Sequence, residues 1–179
     1  VELTRRGIPF VKFGGLKFLD SAHVKDMLAC LRWNENPRDR VAGFRVLQLM
    51  PGVGPSTAAR VLDSLAARPS IAALAELPAP QRAGDAWEPF IALAQRIATR
   101  EADWPGEIAM LREWYAPHLD RLYEDAALRI ADIVQLEQIA ATYPSRERFL
   151  TELTLDPPDA TSDQSGPPMR DEDYLILST

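Results

Sequence analysis

Residues 50–60 read Met-Pro-Gly-Val-Gly-Pro-Ser-Thr-Ala-Ala-Arg, the one stretch whose residue types and spacing point to chemistry. Apolar residues at helical spacing flank it on both sides, so the run is expected to join two helices. Gly52 and Gly54 admit backbone dihedrals barred to other residues and let a ligand approach the main chain. Val53, between them, is expected to plug the angle between the helices. The start of the second helix leaves N–H groups without intrahelical acceptors at the positive end of the helix dipole, a setting that suits an anion. Ser56 and Thr57 add hydroxyl donors, and Arg45 and Arg60 add charge. The expected partner is a DNA backbone phosphate, held in a contact indifferent to base sequence. A plain tight turn between packed helices is the competing reading.

Other reaction chemistry finds little support. The chain has no G-x-x-x-x-G-K-[ST] loop, no H-E-x-x-H and no G-x-S-x-G, so neither a nucleotide loop nor a familiar hydrolytic site is present, and no catalytic residue is assigned. Cys30 is the only cysteine, which excludes an intrachain disulfide, and with only His23 and His118 a zinc centre is not expected. Cys30 sits in a helical stripe and reads as a small core residue. His23, near a helix start, and His118, after Pro117, are expected at the surface. The 179 residues carry a net charge of −6, divided as +5 over residues 1–68 and −11 over residues 69–179. That division suggests a basic working end and an acidic remainder. No apolar run reaches the roughly 18–20 residues of a membrane span and no signal-peptide pattern opens the chain, so the expected setting is the cytoplasm.

The elements that must position the glycine turn are mostly helical. Val24, Met27, Leu28 and Leu31 form a stripe on a helix begun near Asp20 or Ser21 and ended by Asn34-Glu35-Asn36-Pro37. Asn36 is expected to cap the next helix with Pro37 in its first turn, and Val41, Phe44 and Leu47 to face inward. After Gly54, Ala58, Val61, Leu62 and Leu65 share one face. Further helices are expected at about 70–77, 85–101, 105–116, 118–125, 127–142 and 145–154, with Ser70 and Ser145 as caps. Trp87, Ile91, Ala94 and Ile97 form one core stripe; Ile108, Leu111, Tyr115 and Leu119 form another. Two short strands are expected at the ends, at Ile8–Phe13 and Tyr174–Thr179, the second suggesting a segment cut from a longer chain. The fold class expected is mainly α: a multi-helical orthogonal bundle containing a helix-hairpin-helix-like motif, with two short terminal β-strands.

Several of these pieces together resemble one family. Phe10, Gly14, Gly15, Phe18, Val24, Lys25 and Asp26 fall where superfamily 1 helicases of the UvrD/Rep/PcrA type carry an Ile-Pro-Tyr strand, a Gly-Gly-x-x-Phe turn and a Glu-Ile-Lys-Asp segment. The Asn36-Pro37-Arg38-Asp39 turn, the Gly-Val-Gly hairpin, the Arg129-Ile130-Ala131-Asp132 stretch and Phe149–Leu153 follow at similar spacing. Leu175-Ile176-Leu177-Ser178-Thr179 resembles the opening of a helicase motif that continues into His-x-x-Lys-Gly. The resemblance implies a 2B subdomain, the helical insertion in the second RecA-like motor domain. It implies residues 1–15 as the end of that motor domain with a hinge at Gly14 and Gly15, 16–155 as the subdomain, 156–173 as a flexible acidic connector, and 174–179 as a returning motor strand.

By the same resemblance the parent would be an ATP-dependent 3′–5′ DNA helicase of repair or recombination. ATP and Mg2+ would be held elsewhere, with no cofactor in this segment. Gly52, Val53, Gly54, Ser56 and Thr57 would meet double-stranded DNA, and the rest of the motor and a regulatory protein would be the other partners. Pro51 stands where UvrD-like proteins commonly have Arg before the first glycine, which brings the hairpin closer to a standard helix-hairpin-helix. A protein-interaction or autoinhibitory helical module without DNA contact is the alternative expectation.

Overall fold

A computed structural model describes residues 15–155, which form nine α-helices and one 3-10 turn. The helices are α1 (Gly15–Asp20), α2 (Ala22–Glu35), α3 (Arg40–Leu47), α4 (Pro55–Leu65), α5 (Ile71–Ala75), α6 (Trp87–Ala98), α7 (Gly106–Leu122), α8 (Ala126–Ala140) and α9 (Arg146–Leu155), with the turn at Gly84–Ala86 before α6. The expected terminal strands, Gly14 of the hinge and the acidic connector lie outside the described residues. Gly15 opens helix α1. No helix among the described residues is long and apolar enough to cross a membrane.

Helix α2 is the central element, packing on α1, α3, α6, α7, α8 and α9. Its whole interior run from His23 to Leu31, Lys25 excepted, is buried. That burial goes beyond one amphipathic stripe and is what a helix surrounded by neighbours requires. The expected stripes on α4 and α7 are in place, with Ala58, Val61, Leu62 and Leu65 buried on one and Ile108, Leu111, Tyr115 and Leu119 on the other. On α6, Trp87, Ala94 and Ile97 are buried as expected, Ile91 is half-buried, and Phe90 and Leu93 complete the face. Trp33 of α2 stacks on Phe90 with ring centroids 6.3 Å apart.

Four local expectations are corrected. Helix α3 is capped by Asp39, whose carboxylate accepts from the Ala42 N–H at 2.9 Å, and Asn36 and Pro37 belong to the preceding turn. The inward face of α3 is Ala42, Gly43, Val46 and Leu47, while Val41 is 83% exposed and Phe44 only half-buried. Close approach decides this: a Cβ at Gly43 would lie 2.6 Å from the Trp33 ring and 2.8 Å from Leu62, so the smallest residues face the neighbours. Helix α7 runs unbroken through Pro117 instead of dividing into two. The carbonyl that Pro117 leaves without a donor is that of Glu113; both residues are exposed, so water can serve it. Meanwhile the buried stripe continues on the opposite side. His23 and His118, expected at the surface, are 2% and 9% exposed.

Several charged groups buried in this helical core are matched across elements, while the Trp33 ring N–H is buried without a partner among the described residues. The Asp26 carboxylate of α2 accepts from Arg45 of α3 and from the Tyr115 hydroxyl of α7. Arg146, at the start of α9, donates to Glu35 at the end of α2 (2.7 Å) and to Glu107 in the first turn of α7 (2.8 Å). Cys30 is a buried free thiol, and burial pushes its pKa well above the ordinary value, as expected of an inert core residue.

Candidate nucleic-acid interface

Met50, Pro51, Gly52 and Val53 form a turn closed by the Val53 N–H on the Met50 carbonyl at 3.2 Å. Proline at the second position and glycine at the third, with φ +71°, have the character of a type II turn. Val53 is 5% exposed and plugs the core between α3 and α4. The chain then enters α4 through Gly54, which has extended backbone (φ −89°, ψ 178°) and offers no side-chain cap. Pro55 occupies the first turn, where its missing N–H costs nothing. The first backbone bond into α4 runs from Ala58 to the Gly54 carbonyl at 3.0 Å. The N–H groups of Gly54, Ser56 and Thr57 therefore take no acceptor among the described residues.

The residues that carry these amides line a surface concavity of about 380 Å³, bounded by Gly52, Gly54, Pro55, Ser56, Thr57 and Arg60 on one side. Pro80, Gln81 and Arg82 form the other side. Arg60 lies four residues after Ser56, on the same face of α4. Neither Arg60 nor Arg82 has a carboxylate within ion-pair distance among the described residues, and no carboxylate lines the concavity. The arrangement collects bare amide donors, two hydroxyls and two guanidinium groups without carboxylate partners in one open hollow. Such a surface can hold an anion of phosphodiester size by charge-assisted hydrogen bonds.

Of the sequence-assigned residues, Gly52, Gly54, Ser56, Thr57 and Arg60 come together here, with Val53 beneath them. Arg45 does not. Its Nε donates to Asp26 at 2.5 Å and its Nη2 to the Ala22 carbonyl at 3.0 Å, and it borders a separate groove with Lys25 and Arg32. Asp26 is the cause, since a carboxylate only 8% exposed needs a counter-ion. Arg45→Ala should consequently lower stability by about 1–3 kcal/mol, leaving Asp26 with only the tyrosine hydroxyl, and leave any anion binding in the concavity unchanged. Denaturant melts and a binding isotherm on the same preparation check both halves.

Arg82 was not legible from spacing. It sits in the Pro78–Gly84 connection, thirty residues beyond the turn and in the acidic half of the chain. Only the path of that loop over Gly52 brings it into the concavity, with Arg82 Cβ 2.6 Å from where a Gly52 Cβ would stand. The basic surplus of the first 68 residues is also more dispersed than its sum suggests. Lys25, Arg40, Arg45 and Arg68 pair with Asp20, Asp63, Asp26 and Glu76.

No protein-family model matches this chain, and neither does any curated protein or solved structure.

Proposed function

We propose that residues 15–155 form a duplex-DNA-contacting helical module in which α3, the Pro51–Gly54 turn and α4 act as a helix-hairpin-helix gripping a backbone phosphate. The observation that carries this reading is the carboxylate-free hollow lined by Arg60, Arg82 and by Gly54, Ser56 and Thr57, whose N–H groups take no acceptor among the described residues. Within the wider reading, supported by the sequence resemblance, the module is the 2B-like subdomain of an ATP-dependent superfamily 1 helicase. ATP and Mg2+ would then belong to the motor, and this module would hold the duplex and regulate unwinding.

Phosphate contact of this kind is weak and salt-sensitive, with dissociation constants of roughly 1–100 µM expected. Replacing Gly54 with aspartate separates binding from folding. The backbone at Gly54 is ordinary for any residue and a Cβ there meets nothing within 4 Å. An aspartate would cap α4 itself, adding a few tenths to about 1 kcal/mol of stability while placing its own carboxylate where the phosphate would go. Fluorescence anisotropy with a short duplex at low salt should show at least a tenfold loss, on the basis of about 1.5–3 kcal/mol per charged hydrogen bond. Gly54→Asn, neutral and of the same shape, should also block. Arg60→Ala and Arg82→Ala should each weaken binding and reduce the slope of log K against log salt by about one. Undiminished binding by Gly54→Asp would remove the phosphate role and favour the interaction-module alternative.

A further inference from the structure

We propose that His23 is an acid-sensitive latch that fastens helix α8 to the start of α2 only while its imidazole is neutral. The proposal is independent of DNA contact. Its Nε2 lies 2.8 Å from an Asp132 carboxylate oxygen, and its Nδ1 lies 3.1 Å from Nη1 of Arg129. A guanidinium nitrogen can only donate, so Nδ1 must be the bare, accepting nitrogen and Nε2 must carry the proton given to Asp132. One neutral tautomer thereby satisfies two residues of α8 that lie almost one turn apart. Arg129 is held in place by Asp125 at 2.7 Å and by the face of the Tyr123 ring, 3.8 Å from its guanidinium carbon.

Protonation would put an N–H against those guanidinium donors, in a ring only 2% exposed. The charged groups facing His23 are Arg129 and Asp132 from α8, Asp125 just before that helix, and Asp26 from its own helix. Asp26 is already taken by Arg45 from α3 and the Tyr115 hydroxyl from α7. Burial, first, and Arg129 hold the imidazole below its ordinary value of 6.5, against the pull of Asp132 and Asp26. A group whose pKa is lower folded than unfolded stabilises the fold above the unfolded value, and that stability is lost as pH falls through 6.5 and below. Acidification therefore loosens α8. His118 shares the direction, buried against Trp114 at 4.7 Å, but accepts no such pair of partners among the described residues.

The test is imidazole ¹⁵N NMR on the full chain, titrated from pH 8 to 5, together with thermal melts of the protein and two variants. The expected spectrum shows His23 as the Nε2–H tautomer with a midpoint below 6.5, and Arg129→Met moves that midpoint upward. His23→Gln presents the same donor and acceptor without titrating. Its melting midpoint should drop between pH 7.5 and 5.5 by at least about 2 °C less than that of the native chain. An Nδ1–H tautomer, a His23 midpoint at or above 6.5, or an identical acid-induced drop in His23→Gln would overturn the latch. If His23→Gln does not fold, the tautomer and the Arg129→Met titration decide the matter.

Discussion

Replacing Arg146 with alanine should lower the thermal unfolding midpoint by on the order of 10 °C. This one guanidinium, 4% exposed, ties the end of α2 to the start of α7 through Glu35 and Glu107, and points a further N–H toward the Ile97 carbonyl at the end of α6. Glu35 is partly solvated and can turn to water, but the Glu107 side chain is only 3% exposed and cannot. Truncation strands that carboxylate in the core, where removing one partner of a buried pair costs about 3–5 kcal/mol. At about 2–4 °C per kcal/mol for a domain of this size, the shift in midpoint follows.

The pH dependence of this loss identifies its cause. Burial already pushes the Glu107 carboxyl above its ordinary range, with Arg146 pulling the other way. Without Arg146 the carboxyl rises further, so it takes up a proton in mild acid and the stranded charge disappears. The deficit of Arg146→Ala relative to the native chain should therefore shrink as pH falls from 7 to 5. Adding Glu107→Gln should recover part of it at pH 7, and a double-mutant cycle measures the coupling. A deficit that is flat with pH would mean that lost packing, not the buried charge, accounts for the effect.

Gly52→Val should be nearly as damaging, whereas Gly54→Val, two residues away, should change stability by well under 1 kcal/mol apart from a weakened cap. At Gly52 the backbone has φ +71°, which costs a residue with a side chain about 1–3 kcal/mol and a β-branched one more. A Cβ there would also overlap the Arg82 carbonyl oxygen, forcing the Pro78–Gly84 loop off the turn. At Gly54 neither constraint exists. Chemical denaturation of the two variants gives the contrast directly. Because the loop carries Arg82, the proposed phosphate contact further expects even a folded Gly52→Val protein to bind duplex more weakly. Equal stability of the two variants would show that the turn tolerates a side chain at both positions, contrary to this geometry.

The two glycines look alike in the sequence and differ entirely in place. One is required by the fold; the other leaves the helix mouth open. Periodicity predicts the helical class and the buried stripes of α4 and α7, and residue type predicts the cap at Ser70 and the start of α4 after Gly54, because these depend on residues within a turn or two of each other. Ser70, for instance, accepts the Ala73 N–H at 3.0 Å as a local cap should. On α3 a pattern of apolar weight favours Val41 and Phe44 as the inward face, while the close approach of the Trp33 ring to Gly43 turns Ala42 and Gly43 inward instead. Pro117 makes no break in α7 because it lies on the exposed side, where water can serve the carbonyl left without a donor.

Sequence by itself determined the glycine turn, its bare amides and the hydroxyls beside them, since a turn and a helix start are short-range matters of backbone conformation. Tertiary structure decided which cations serve that turn. It withdrew Arg45 to neutralise a buried aspartate nineteen residues earlier and brought in Arg82 from thirty residues later. It also turned two histidines inward. Counter-ions follow burial, and burial is set by how helices distant in sequence come to rest against each other.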